Sequence, residues 1–137
     1  MKPVRILIAD DHELIRSGLR SLLRLRAGWE VCGEATNGQE AVEQVRQLNP
    51  DVIVLDITMP VLNGLEAARL ISKEAPRTAI VILSQHAPQG MSGRAFEAGA
   101  QAYVSKSDVA SELLTTIDSV LNRDDHRPRH GNNSASG

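Results

Sequence analysis

The sequence has little cysteine, few aromatic side chains and almost no net charge. Its one cysteine, Cys32, has no partner for an internal disulfide, which is typical of a reducing compartment. Tryptophan, tyrosine and phenylalanine occur once each, so the core should be aliphatic. A formal charge of -2 argues against a basic surface for nucleic acid. No apolar run reaches membrane-spanning length and the first residues do not resemble a secretory signal, so we expect a cytoplasmic protein without membrane contact.

Apolar runs and amphipathic helical patterns alternate along the chain. The clearest run, at 52–55, is four apolar residues followed by Asp56, as in a strand that is covered on both faces. Five such strands alternate with five helices, which predicts an α/β fold: a doubly wound, five-stranded parallel sheet. The predicted strands are 4–9, 29–35, 52–55, 78–84 and 101–105.

Two helical segments lead to specific expectations. In the first helix Arg16, Arg20 and Arg24 recur at a spacing of four residues, and we expect this row to be a solvated face. The fourth helix, predicted at 87–98, contains Pro88 and several glycine and serine residues. We expect it to be the least rigid helix of the fold.

The chain divides by composition near residue 121. Residues 1–121 carry the periodic pattern and form one predicted domain, whereas residues 122–137 are polar and without periodicity. We expect this tail to be disordered or to be an interdomain linker. No helix-turn-helix pattern follows the domain, so an output domain is absent from this chain.

Polar residues follow four of the predicted strands. Asp10 and Asp11 follow the first, Asp56 the third, Ser84 the fourth and Lys106 the fifth. Because parallel strands all end at one edge of the sheet, these side chains should meet there. Each residue alone could instead cap a helix, begin a turn or point to solvent, but their joint placement favours a site.

The charges of this group indicate its chemistry. Two carboxylates about 4 Å apart repel by about 4 kcal/mol at an effective dielectric of 20, and Lys106 supplies only one positive charge. Oxygen ligands without a nearby His or Cys pair favour a hard divalent cation such as Mg²⁺. A carboxylate beside Mg²⁺ and a lysine is suited to accept a phosphoryl group. Asp56 is therefore the predicted phosphoacceptor.

These residues resemble the response-regulator receiver domain of two-component signalling. The resemblance rests on Asp10-Asp11, on Asp56 in Leu-Asp-Ile-Thr-Met-Pro, on Gly64, on Ser84, and on Tyr103-Val-Ser-Lys106. The sequence around Ser84 and Tyr103 is similar to that of the NarL/FixJ subfamily, whose receivers precede a LuxR-type helix-turn-helix. The resemblance implies a flavodoxin-like receiver fold.

The resemblance also assigns roles to individual residues. Asp56 would take a phosphoryl group from a sensor histidine kinase or from acetyl phosphate. Asp11, Asp56 and the carbonyl of Thr58 would bind Mg²⁺ directly, and Asp10 would act through water. Ser84 and Lys106 would hold the phosphoryl oxygens. Thr58 and His86 occupy positions that tune the lifetime of the phosphoryl group.

The family further implies a switch and partners. Movement of Ser84 would let Tyr103 turn inward and reshape the surface of the fourth helix, fifth strand and fifth helix, through which a homodimer would form. DNA would be bound only through an output domain outside this chain. The alternative is a stand-alone receiver that acts through protein contacts. Ser107 stands where many members have a proline in a cis peptide.

Three other classes of protein fit the sequence less well. A phosphatase with an aspartyl nucleophile needs an acid two residues later, where this chain has Thr58. A flavin carrier needs a phosphate loop after the first strand, where Asp10 and Asp11 would repel a phosphate. A degenerate receiver would not be expected to retain the acids, the hydroxyl and the lysine together. We therefore predict a signalling domain that is not an enzyme.

Overall fold

The computed structural model describes residues 2–59, 61–85 and 91–126. Strands and helices alternate through these residues, and a single 3₁₀ turn, Lys106–Asp108, precedes the last helix. The elements in chain order are β1 (Val4–Ala9), α1 (Glu13–Leu23), β2 (Trp29–Ala35), α2 (Gly38–Leu48), β3 (Val52–Asp56), α3 (Gly64–Glu74), β4 (Ala79–Ser84), α4 (Met91–Glu97), β5 (Ala102–Ser105) and α5 (Val109–His126).

The five strands form one parallel sheet in the order β2-β1-β3-β4-β5. The predicted doubly wound α/β fold is therefore confirmed. After β1 the chain builds outward to β2 and then crosses back to β3, so strand order reverses between β1 and β3. In open α/β sheets this reversal opens a crevice beyond the carboxyl ends of the two strands. The acids that follow β1 and end β3 lie at this point.

Aliphatic side chains pack on both faces of the sheet, because successive strand residues point to opposite sides. On β1, Ile6 and Ile8 pack with α1 and α5, whereas Leu7 and Ala9 pack with the helices of the other face, α2, α3 and α4. All five residues of β3 are buried. This two-sided burial explains why the strand reads as an unbroken apolar run rather than an alternating one.

Side-chain caps fix the starts of α2 and α3. Asn37 accepts a hydrogen bond from the Glu40 N–H, and Asn63 accepts one from the Glu66 N–H. Asn37 and Gly38 are thus the cap and the first residue of α2. The Asn63 cap sets the position of α3 directly after the loop that follows Asp56.

Several predicted boundaries need correction. Helix α5 runs to His126, five residues beyond residue 121, so residues 122–126 of the predicted tail are helical. Within the described residues α4 begins only at Met91; Pro88 and His86 lie outside them, as do residues 127–137. The Lys106–Ser107 peptide is trans. Among residues 2–59, 61–85 and 91–126, no helix is long and apolar enough to cross a membrane.

Candidate phosphoacceptor site

Asp56 is the last residue of β3, and its side chain is fully buried, at 0% exposure. Its Oδ1 accepts hydrogen bonds of 3.2 Å from both the backbone N–H and the hydroxyl of Thr58. Because β3 is paired with β1 on one side and β4 on the other, the strand that carries this carboxylate has little freedom to move. The fold therefore presents Asp56 on a rigid support.

Lys106 joins Asp56 to the end of β1. Its Nζ lies 3.1 Å from Asp10 Oδ2 and 3.3 Å from Asp56 Oδ1, and its side chain is only 13% exposed. Asp10 is itself fully buried, and its backbone N–H donates to the Ala35 carbonyl. The predicted convergence of Asp10, Asp56 and Lys106 at one edge of the sheet is present in the structure.

One ammonium shared between two buried carboxylates shifts the pKa values at this site. Burial raises the pKa of Asp56 and the charge on Asp10 raises it further; together they outweigh the opposing effects of the Thr58 N–H and of Lys106. Burial opposes the charge on Lys106, yet its contacts with Asp10 and Asp56 outweigh that effect and raise the pKa of the ammonium. Lys106 therefore stays charged. For Asp56, the attraction of Lys106 is too weak to offset the rise in pKa that burial causes.

The group fits a divalent cation. Asp10, Asp11, His12 and Asp56 each offer a ligand atom, and these four atoms lie within 4.8 Å of one another. Three carboxylates and one ammonium leave an excess of two negative charges. Asp10 Oδ2 is buried and has no hydrogen-bond donor of good geometry among the described residues, although the Lys106 ammonium is close to it. Carboxylate oxygens are the ligands that Mg²⁺ prefers.

The other predicted site residues differ in how close they lie to Asp56. Ser84 is the buried last residue of β4 and directly follows Leu83, which is paired with Asp56. Tyr103 lies on β5, partly buried against the core on the side of α2, α3 and α4. Thr58 contacts Asp56 through its hydroxyl, a contact that the sequence does not predict. His86 lies outside the described residues.

The prediction that the arginine row of α1 is solvated is wrong for Arg16. Its side chain is only 11% exposed, and its guanidinium donates to the Asp10 carbonyl (2.8 Å), to Glu34 on β2 (2.9 Å) and to Glu13 (2.5 Å). Arg20 also pairs with Glu34, whereas Arg24 is exposed. Arg16 therefore ties the loop that carries the acids to α1 and β2.

His12 was also missed. Its Nδ1 lies 3.2 Å from Asp10 Oδ1 and 3.1 Å from Asp11 Oδ1, and its N–H donates to Asp10 Oδ1 at 2.8 Å. Its place directly after Asp10-Asp11 was a usable signal, because a loop that brings two acids to the edge of the sheet also carries the next residue there.

Comparison with known proteins gives consistent matches. Residues 6–118 match the response regulator receiver domain. The chain is 37% identical to the transcriptional regulatory protein LnrK of Bacillus subtilis over 117 residues, 85% of this chain and 53% of LnrK. It is 40% identical to the chemotaxis protein CheY of Thermotoga maritima over 116 residues, 85% of this chain and 96% of CheY.

A solved structure supports the same conclusion. A two-component response regulator of the LuxR family from Aurantimonas sp. SI85-9A1 aligns with a TM-score of 0.84 and 37% identity, over 89% of this chain and 87% of that one. The chain thus spans about half the length of LnrK and nearly all of CheY. By its fold, the acids and lysine at its sheet edge, and these matches, the chain belongs to the response regulator receiver domains of two-component signalling, with LuxR-family regulators among its relatives.

Proposed function

We propose that this receiver is a phosphorylation-dependent switch in which Asp56 accepts a phosphoryl group from a sensor histidine kinase in the cytoplasm. The observation that carries the proposal is the buried Asp56 carboxylate, 3.3 Å from the Lys106 amine and beside the acids that follow β1. A lone buried carboxylate would destabilise the folded state. Grouped with an amine and a cation site, it has the partners that phosphoryl transfer needs.

The transfer step uses the residues of this site in distinct roles. A carboxylate oxygen of Asp56 attacks phosphorus while the P–N bond of the donor phosphohistidine breaks, and the bonding electrons stay on the imidazole nitrogen. Asp10, Asp11, Asp56 and the Thr58 carbonyl would hold Mg²⁺, which supplies neutralisation of the phosphoryl oxygens when bound. Lys106 neutralises further negative charge, and Ser84 donates a hydrogen bond to the incoming group.

Phosphorylation would be transmitted through β4 and β5. Ser84 pairs with Ser105 in the sheet, and Tyr103 lies two residues earlier on β5. Movement of Ser84 toward the phosphoryl group would release space for Tyr103 and alter the surface of α4, β5 and α5. Phe96 on α4 is an exposed aromatic side chain, which suits a homodimer contact on this face.

The names of two relatives support proposals for the output of the switch. LnrK, of which the chain spans about half, is named a transcriptional regulatory protein. We infer that this receiver controls a DNA-binding output domain outside the chain described here. One observation supports the alternative, a stand-alone receiver that acts through protein contacts: the chain matches nearly the whole of CheY, which is named a chemotaxis protein.

The phosphoacceptor assignment is tested by intact mass after incubation with acetyl phosphate, with and without Mg²⁺. We expect the mass of one phosphoryl group to be added only when Mg²⁺ is present. Peptide mapping under conditions that preserve acyl phosphates should place the group on the peptide with Asp56. No gain in mass with metal, or a gain on another peptide, would contradict the proposal.

An apolar groove beside the site is a candidate surface for the kinase. It lies between α1 and the start of α5, has a volume of about 630 Å³, and is lined by Leu14, Gly18, Leu25, Val109 and Lys106. Leu14 is 83% exposed. Because Lys106 contacts Asp56, a protein seated here is positioned to bring its phosphohistidine to the acceptor.

We expect Leu14→Glu to affect labelling by a kinase and labelling by acetyl phosphate differently. Transfer from an autophosphorylated kinase that labels the wild type should slow by about tenfold or more, because a charge replaces an apolar contact. Labelling by acetyl phosphate, which needs no docking, should stay within about twofold. Leu70→Glu, at an exposed position of α3 on the opposite face, is the control and should leave both rates unchanged. Equal loss with both donors would show a damaged site instead.

A further inference from the structure

We propose that His12 is a ligand of the divalent cation at this site and that it directs the site toward first-row transition ions such as Mn²⁺ and Co²⁺. The inference rests on the cation site of the proposed function and adds a nitrogen ligand to it. The imidazole Nδ1 lies 3.2 Å from Asp10 Oδ1 and 3.1 Å from Asp11 Oδ1. Its side chain is 60% exposed, so a cation can approach it from solvent.

The Nδ1 contact with Asp10 Oδ1 is of hydrogen-bond length, and the same separations also match neighbouring ligands around one ion. With metal–ligand bonds of about 2.1 Å, adjacent corners of an octahedron are about 3.0 Å apart and opposite corners about 4.2 Å. Nδ1 and the two carboxylate oxygens already match adjacent corners. The whole group of four ligand atoms, which includes Asp56, spans at most 4.8 Å. This is about 0.6 Å more than the distance between opposite corners, so the group needs to contract slightly around an ion.

The backbone holds His12 in this place. Its N–H donates to Asp10 Oδ1 at 2.8 Å, and its extended conformation (φ -102°, ψ 119°) ends where α1 begins. Arg16 fixes the loop two residues earlier by donating to the Asp10 carbonyl from a nearly buried side chain. The imidazole is thus attached to the same rigid loop as the two acids, and little conformational entropy is lost when it binds.

Asp10 provides a second reason to place the cation here. Its two oxygens face different partners: Oδ2 is close to Lys106, and Oδ1 faces His12. Lys106 lies 3.1 Å from Oδ2, so Oδ1 is the oxygen that a cation beside His12 would contact. A cation between Asp10, Asp11 and His12 would add charge neutralisation to an oxygen pair that one ammonium does not satisfy.

The imidazole changes which cation the site prefers. Mg²⁺ keeps its waters and prefers oxygen ligands, whereas imidazole is a good ligand for the later first-row ions. Loss of His12 should therefore weaken binding of Mn²⁺ and Co²⁺ by about tenfold or more. Binding of Mg²⁺ should change by no more than about twofold, because the oxygen ligands remain.

The test is calorimetric titration of the whole chain with Mg²⁺, Mn²⁺ or Co²⁺, without a phosphate donor. We compare the wild type with His12→Gln, which keeps a polar side chain but lacks the imidazole, and with Asp11→Asn. Pulsed electron paramagnetic resonance of bound Mn²⁺ gives a direct readout, since coordinated imidazole nitrogen modulates the echo. That modulation should be present in the wild type and absent in His12→Gln, although the chain keeps its three other histidines.

The outcomes separate this inference from the proposed function. If Asp11→Asn weakens binding of all three ions but His12→Gln does not selectively weaken binding of Mn²⁺ and Co²⁺, the carboxylate site is supported and His12 is not a ligand. If Asp11→Asn changes nothing, the cation site of the proposed function is itself wrong. Nitrogen modulation that persists in His12→Gln would assign the signal to another histidine and overturn the inference.

Discussion

Asp56→Asn should abolish phosphoryl labelling from both a kinase and acetyl phosphate while the fold is retained. The amide has nearly the shape of the carboxylate and can still accept the Thr58 N–H, so the end of β3 should keep its geometry. Its oxygen is a far weaker nucleophile and carries no charge. Intact mass gives the readout. Asp108→Asn, at an exposed acid, is the matched control and should be labelled like the wild type.

The same substitution should raise stability at neutral pH. Burial raises the pKa of Asp56 above that of the unfolded chain, so the ionised carboxylate disfavours folding at any pH above that raised value. The penalty fades as pH falls through the folded pKa and is gone below the ordinary carboxyl pKa of about 4. Urea unfolding at pH 7 should therefore show a higher midpoint for Asp56→Asn than for the wild type, and the gap should narrow on acidification.

An unchanged or lower midpoint at pH 7 would mean that Lys106 and Thr58 compensate fully for the burial of Asp56. Persistent labelling of Asp56→Asn at the wild-type rate would remove Asp56 from the acceptor role. The two readouts are independent, because labelling depends on the nucleophile and the midpoint depends on the buried charge.

Local patterns in the sequence were sufficient to predict the sheet. Strands such as 4–9 and 29–35 are short and bounded by turn residues, and the structure places them as predicted. The convergence of Asp10, Asp56 and Lys106 followed from one topological rule, that parallel strands end at a common edge. None of this needed knowledge of individual side-chain contacts.

Local patterns could not predict the burial of Arg16 or the residue at which α5 ends. Arg16 is spaced with Arg20 and Arg24 as on a polar helix face, and only its tertiary partner Glu34 on β2 shows that it is buried. At the end of α5 the apolar pattern stops at Leu121, yet the helix continues to His126. Apolar periodicity identifies the helical residues that face the core. A helical turn that extends past the core has no such residues, so the pattern does not predict it.

Gly64→Ala should destabilise the domain by about 3 kcal/mol and slow labelling of Asp56. A Cβ at this position would lie 2.3 Å from the Asp56 carbonyl oxygen and 2.5 Å from the Ile57 Cα. Both are backbone atoms, so the clash cannot be relieved by rotating a side chain. The Gly64 N–H also donates to the Ile57 carbonyl at 3.0 Å, so α3 and the end of β3 would have to separate.

The measurements are urea unfolding and the rate of acetyl phosphate labelling. Gly18→Ala is the matched control: it lies within α1, nothing stands within 4 Å of its added Cβ, and alanine should stabilise the helix by about 0.5–1 kcal/mol. Because the displaced atoms belong to the phosphoacceptor itself, Gly64→Ala should lower both stability and labelling rate. If Gly64→Ala were as stable as Gly18→Ala, the close approach of α3 to the acceptor strand would be refuted, and with it the reason that a glycine is required there.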